Sequence, residues 1–287
     1  MLCAMRITAI SALLVLVAGT ASGQAQDRAR IGICVDPDRF EAAQAAGFDY
    51  VETNASRVAA LNDEDFETLA AQVAQLRIPV AASMSFIPGA IKLTGPEIDP
   101  AKQMAYVTST LGRLKRLGVT IVVFGSGGAR RVPEGFSRDE AFAQLVDFCR
   151  RIAPVARENG ITIVVEPLRK QETNIINTAR EGLALVRAVD RPEIRLLVDY
   201  YHLAEESEDP AIIAEAGPLL AHTHIANPKG RVYPLSLDES AYAGFFANLC
   251  KIGYAGRISV EASTKDFAAE APKSLALLRS ARACGTK

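Results

Sequence analysis

Apolar residues in this chain fall into two kinds of run that take turns along its length. Short continuous runs rich in Val, Ile and Leu are followed by longer stretches in which apolar positions recur at helical spacing. Residues 31–35 read as a first strand and 38–46 as a helix closed by Gly47; 50–52 is a second strand, and 63–76 a helix with Phe66, Leu69, Val73 and Leu76 on one face. A third strand covers 80–83. The stretch 86–99 holds Pro88, Gly89, Gly95 and Pro96 and reads as a loop, after which Asp99 and Pro100 open a helix to about Leu117 as N-cap and first helical residue. Strands at 119–124, 161–166, 194–199, 219–224 and 257–261 then alternate with helices at 137–159, 178–189, 210–216, 240–252 and 266–283.

Eight strand–helix units in one chain, with strands that are continuous rather than alternating, predict parallel strands buried on both faces. The expected fold is α/β, a single-domain (β/α)8 TIM barrel. A doubly wound open sheet is the competing architecture. It fits less well because Asp36-Pro37-Asp38, and not a glycine fingerprint, follows the first strand.

The first residues stand apart. Arg6 precedes the apolar run 7–19, and the small residues Ala21-Ser22-Gly23 follow it. A basic start, a short apolar core and a small-residue cleavage site compose a secretory signal. The expectation is a signal over 1–23, a barrel domain over 24–287, and an exported, periplasmic protein. No later run is apolar enough to cross a membrane, so none is expected in the mature form. Cys34, Cys149, Cys250 and Cys284 are widely spaced without a C-x-x-C, which argues against a thiolate zinc site and leaves their pairing open. A net charge of −1 without a long basic run argues against a nucleic-acid partner.

The candidate chemistry sits at strand ends. The chain has three histidines, His202, His222 and His224, and all lie in or next to the sixth and seventh strands. Strands five to eight end on Glu166, Asp199, His224 and Glu261, and in a barrel such ends face the active site. Buried carboxylates need a positive partner. These four are therefore expected to share one divalent metal, manganese first, with cobalt, magnesium or zinc compatible with the same mixed oxygen and nitrogen set. Glu52 ends strand two and either lines the pocket or is simply buried. His222 shares strand parity with His224 and should also point inward. Gly125–Arg131 reads as a flexible barrel-top loop, Lys92 as exposed, and Tyr200 and Tyr201 as walls of the site.

Val165-Glu166-Pro167-Leu168, Glu172, Asp199-Tyr200-Tyr201-His202, His222-Thr223-His224 and the run from Gly253 to Glu261 together resemble the xylose isomerase-like sugar isomerase/epimerase superfamily, in its ketose 3-epimerase and hydroxypyruvate isomerase branch. The resemblance implies that Glu166, Asp199, His224 and Glu261 hold the metal. It also implies that Glu172, His202 and a basic residue, here Arg231, hold the oxygens of a small carbohydrate substrate. Arg169-Lys170 stands where relatives often carry Asn-Arg. The implied reaction is proton transfer next to a keto-sugar carbonyl through a metal-stabilised enediolate, with Glu166 and Glu261 as acid and base. A lyase that eliminates from a 3-keto-sugar or 3-keto-glycoside on the same scaffold is the alternative. Relatives are often dimers or tetramers, but no stretch here specifies an interface.

Overall fold

Eight parallel strands close on one another in sequence order: β1 (Arg30–Cys34), β2 (Tyr50–Asn54), β3 (Val80–Met84), β4 (Ile121–Phe124), β5 (Thr162–Val165), β6 (Ile194–Asp199), β7 (Leu220–Ile225) and β8 (Arg257–Val260), with β8 returning to pair with β1. This computed structural model describes residues 29–282; the segment 1–23 read as a secretory signal and Cys284 lie outside the described residues. The helices are α1 (Phe40–Ala46), α2 (Ala55–Ala60), α3 (Asp63–Gln75), α4 (Pro100–Arg116), α5 (Gly127–Arg130), α6 (Arg138–Asn159), α7 (Ala179–Val189), α8 (Tyr200–Glu205), α9 (Ile212–Ala216), α10 (Tyr242–Lys251) and α11 (Phe267–Ala281). The expected (β/α)8 barrel is the observed fold. Among the described residues no helix is long and apolar enough to cross a membrane.

The apolar residues divide as a closed barrel requires. Ile31, Ile33, Val122, Phe124, Ile163, Leu196 and Val198 on the strands join Phe66, Leu111, Phe148, Leu183 and Phe245 on the helices in one large core. Burying each such side chain stabilises the fold by about 1.5–3 kcal/mol. A separate cluster of Tyr50, Ala81, Ala82, Ile121, Val123, Val164 and Leu197 fills the barrel interior. Tyr50, Val164 and Leu197 lie two residues before Glu52, Glu166 and Asp199. Strand side chains alternate between faces, so the apolar plug and the polar rim belong to the same inward-facing rows.

Three short helices were not apparent from the periodicity. Asn54 accepts a hydrogen bond from the Arg57 amide at 3.0 Å and starts α2 directly at the end of its strand. Asp199 accepts from the Tyr201 amide at 2.9 Å and starts α8 in the same way. The third corrects an expectation: Gly125–Arg131 is not a free loop. It contains α5, whose Gly128 packs backbone to backbone against Gly89 and whose Arg130 is fully buried. Two glycines would not form a helix alone, so close packing against the loop after β3 sets this segment's shape. Cys34 and Cys149 are free and buried, as expected for small apolar side chains.

Gly32 on β1 shows how full the interior is. A methyl group there would overlap the edge of the Tyr50 ring, at its Cε2 and Cζ. Gly32→Ala should lower unfolding stability by about 1–3 kcal/mol, the usual cost of overpacking a filled core. Urea denaturation followed by circular dichroism would measure it; an unchanged midpoint would mean that the Tyr50 ring moves aside freely.

Candidate active site

Four consecutive strands deliver their end residues to one place. Asp199 and His224 are register partners on β6 and β7, and His224 is paired in turn with Ser259 on β8. The ladder runs one residue past the ends of β5 and β8: the Glu166 amide donates to Phe124 O at 3.1 Å and the Glu261 amide to Ile225 O at 3.2 Å. Both glutamates therefore stand on backbone as fixed as a strand's. Glu166, Asp199, His224 and Glu261 each bring one ligand-type atom within 4.8 Å of the others. Glu166, Asp199 and His224 are buried and Glu261 is partly so.

The hydrogen-bond inventory shows what these atoms lack. Glu166 Oε1, Asp199 Oδ2 and His224 Nδ1 are buried and have no hydrogen-bond partner. His224 Nδ1 lies 3.3 Å from Glu166 Oε1 and 3.3 Å from Glu261 Oε2. Buried polar atoms are rarely left unpaired, and three unpaired ones converging from different strands mark a site for something absent from the chain itself. Carboxylate oxygens with one imidazole nitrogen suit a divalent cation. Cys34, Glu52 and His224 form a second set within 4.8 Å. There, however, the Glu52 oxygens are already taken: Ser259 donates to Oε2 at 2.7 Å, His222 Nε2 lies 3.0 Å from it, and His224 Nε2 is 3.1 and 3.2 Å from Oε1 and Oε2. Burial, reinforced by Glu52, also pushes the Cys34 thiol up and keeps it protonated. Only the first set has free lone pairs.

Charge in the site is uneven. Burial, with the neighbouring Glu261 charge, raises Glu166 and pushes Asp199 up to about 7. Burial acts the same way on Glu261, but His224 and Arg231 together outweigh it and hold this carboxyl at about 2. His202 is driven down to about 3 by burial and then by Arg231, so it is a neutral imidazole. Burial opposes charge on Glu52 too, yet His224 and His222 outweigh it and keep Glu52 ionised. For His222 burial wins and its affinity for a second proton falls; for His224 burial loses to Glu52 and that affinity rises. Of the two imidazoles facing Glu52, His224 is the one that more readily takes a second proton.

The remaining expected residues surround the mouth. Arg231 donates to Glu261 Oε2 at 2.6 Å and lies 3.7 Å from Asp199 Oδ2 and 3.5 Å from Glu172 Oε1. Its backbone is left-handed, with φ 49°, a conformation that costs a non-glycine residue about 1–3 kcal/mol. Ser263 holds it there by donating its amide to Arg231 O at 2.9 Å, next to the Val232–Ser263 bridge. Glu172 Oε1 also accepts from Arg169 Nε at 3.0 Å, and Arg169 reaches Glu205 at 2.9 Å. His202 Nδ1 accepts from the Arg169 amide at 3.2 Å, while its Nε2 is unpartnered and 3.6 Å from Asp199 Oδ2. Both arginines lie over the Tyr201 ring, Arg169 at 5.0 Å and Arg231 at 4.6 Å from its centre.

One expectation changes here and one open alternative is decided. Tyr200 does not wall the site: its ring packs on Tyr242 and Phe245 and its hydroxyl bonds Ser240 at 2.7 Å, so only Tyr201 faces the mouth. Glu52 is not a pocket wall but is fully buried beneath His224. From the sequence, Arg169 stood out only as a departure from relatives and Ser259 was given no role of its own; Ser259 shares strand parity with Glu261, which is the signal that could have found it. Lys92 is exposed, as expected.

Gly125 adjoins Glu166 so closely that a methyl group there would collide with Glu166 Oε2. Gly125→Ala should displace that carboxylate and weaken the binding of any divalent cation held there by at least about tenfold, or about 1.4 kcal/mol. Titration calorimetry on the folded variant measures this, and unchanged affinity would remove Glu166 from the ligand set.

Comparison with known proteins points the same way. Residues 40–281 match the xylose isomerase-like TIM barrel family. An L-ribulose 3-epimerase of Methylomonas sp. (strain DH-1) is 31% identical over 231 residues, covering 78% of this chain and 77% of that protein. A 2-oxo-tetronate isomerase of Pectobacterium atrosepticum is 28% identical over 239 residues, covering 78% of this chain and 85% of its own. Among solved structures, a D-allulose 3-epimerase from Methylomonas sp. superimposes with a TM-score of 0.78 at 25% identity, over 88% of this chain and 98% of that one.

Proposed function

This chain belongs to the xylose isomerase-like TIM barrel family, and from that premise we propose that it is a metal-dependent sugar isomerase or epimerase acting on a keto-sugar. The observation that carries the proposal is the meeting of Glu166 Oε1, Asp199 Oδ2 and His224 Nδ1, all buried and unpartnered, between two glutamates able to exchange protons. Glu166, Asp199, His224 and Glu261 would hold one divalent cation, manganese by preference and cobalt, magnesium or zinc as alternatives. Bound there, the cation would act as a Lewis acid toward the carbonyl and a neighbouring hydroxyl of the sugar.

The rest of the chemistry belongs to the chain's own residues. Glu166 and Glu261 come from β5 and β8, which approach the centre from different sides, and each presents a carboxylate to the carbon next to the carbonyl. One removes the proton and the other supplies one. Return from the opposite face inverts that carbon; return to the neighbouring carbon exchanges aldose and ketose. Arg231, Glu172 and His202 bind the substrate's oxygens: the guanidinium donates, the Glu172 carboxylate accepts from hydroxyls, and neutral His202 offers Nε2. Tyr201, with both guanidiniums over its ring, forms the wall that orients the sugar and excludes water. Export through residues 1–23 belongs to the same proposal and favours unphosphorylated sugars.

Manganese-loaded protein incubated in heavy water with L-ribulose, D-psicose and further ketoses should place deuterium on a carbon adjacent to the carbonyl. Glu261→Gln should reduce this by about 10²–10⁴-fold, the usual worth of a general acid or base, while leaving circular dichroism unchanged. Chelation should silence the reaction, and manganese or cobalt should restore it. Normal turnover by Glu261→Gln, or full activity in verified metal-free protein, would contradict the proposal. Aglycone released from a 3-keto-glycoside, without exchange into any ketose, would assign a lyase instead.

A further inference from the structure

Below the rim lies a chain of buried polar groups that proton transfer to a sugar does not use. Glu52, at the inward face of β2, is fully buried, and both its oxygens face His224 Nε2, at 3.1 and 3.2 Å. An ionised carboxylate only accepts hydrogen bonds, so Nε2 must carry the hydrogen. The opposite ring nitrogen, Nδ1, is then the one that gives up its hydrogen when a cation takes that hydrogen's place, and its lone pair lies toward Glu166 and Glu261. Glu52 is itself fixed. Ser259 donates to its Oε2 at 2.7 Å, and since the Ser259 hydrogen is spent there, the Tyr50 hydroxyl must donate to Ser259 Oγ, 2.8 Å away. His222 Nε2 adds a third donor at 3.0 Å. Gly32 leaves the space that the Tyr50 ring occupies.

We propose that Glu52 is the positioning residue of the metal centre: seated on Ser259, Tyr50 and His222, it holds His224 in the tautomer and ring orientation that offer Nδ1 to a divalent cation. Glu52 touches neither substrate nor cation and acts through the His224 ring. The position has a reason in the barrel's geometry. His224 is inward-facing on β7, so without a fixed acceptor at Nε2 either ring nitrogen could carry the hydrogen, and half the free ring's options would point a hydrogen at the cation. A carboxylate on a metal-bound histidine also raises the basicity of the ring, and removing such a partner costs about 10–100-fold in metal affinity.

The inference rests on the proposed metal site, and its test separates the two. Manganese affinity of the full chain, measured by titration calorimetry, should fall by about 10–100-fold in Glu52→Gln and by less in Ser259→Ala, where Glu52 keeps its other donors. The tautomer is read directly in the wild-type protein. With only three histidines in the chain, the ring-nitrogen spectrum of ¹⁵N-histidine-labelled protein loaded with ¹¹³Cd²⁺ resolves each one. His224 should show its hydrogen on Nε2 and cadmium coupling on Nδ1. A purely structural role for Glu52 would lower the unfolding midpoint while leaving the folded protein's affinity unchanged, and that result overturns the proposal. So does cadmium coupling at Nε2. Should Glu52→Gln not fold, the Ser259→Ala affinity and the wild-type spectrum decide. If the wild-type protein binds neither ion, the metal reading itself falls; if it binds and Glu52→Gln binds equally well, only the role of Glu52 does.

Discussion

Repulsion among buried carboxylates governs this barrel rim. Glu166, Asp199 and Glu261 each bring an oxygen into a space less than 4.8 Å across, largely shielded from water. At such a separation two ionised carboxylates repel by about 3–4 kcal/mol even at an effective dielectric of about 20. The chain answers with the Arg231 guanidinium on Glu261 and with His224, whose affinity for a second proton is raised. The balance is incomplete, and the residue that shows it is Asp199, whose carboxyl is pushed toward neutrality by burial and by Glu261. A divalent positive charge would complete a rim built this way, and that need is the physical content of the metal proposal.

The same constraint explains the strain next to it. Arg231 sits in left-handed backbone, pinned through its carbonyl by Ser263, and from there its guanidinium spans Glu261, Asp199 and Glu172. Left-handed backbone in a non-glycine residue persists only where its surroundings enforce it. Here the enforcement places a cation over three acids. Glu172 then links Arg231 to Arg169, and Tyr201 lies beneath both, so the mouth is a continuous charged layer and not a set of separate side chains.

The barrel was legible in the sequence because parallel strands buried on both faces leave continuous apolar runs, and their carboxylate or imidazole ends are visible in the one-dimensional pattern. Glu166, Asp199, His224 and Glu261 were found that way. The short helices were not legible: α2 and α8 each start from a side chain at a strand end, Asn54 or Asp199, and α5 depends on a glycine contact with a distant loop. Glu52 was visible as a strand-end acid, but its task depends on His224 lying across the barrel, 172 residues away in sequence. Tyr200 and Tyr201 look equivalent in sequence, and only the helix that begins at Tyr200 turns one toward Tyr242 and the other toward the arginines.

Asp199 is where rim and mouth become one object. Its Oδ1 caps α8 through the Tyr201 amide, while its Oδ2 is the unpartnered atom aimed into the carboxylate cluster. That short helix carries Tyr201, His202 and Glu205, which respectively stack with the arginines, face Asp199 Oδ2 and hold Arg169. A carboxylate's two oxygens move together, so any charge that draws Oδ2 inward also moves the cap and the helix built on it. The groups assigned to the sugar are therefore set by the same side chain that is assigned to the cation. Asp199→Glu, even if it kept the metal affinity, would still be expected to disturb the mouth, because Glu replaces the charge but not the short N-cap side chain.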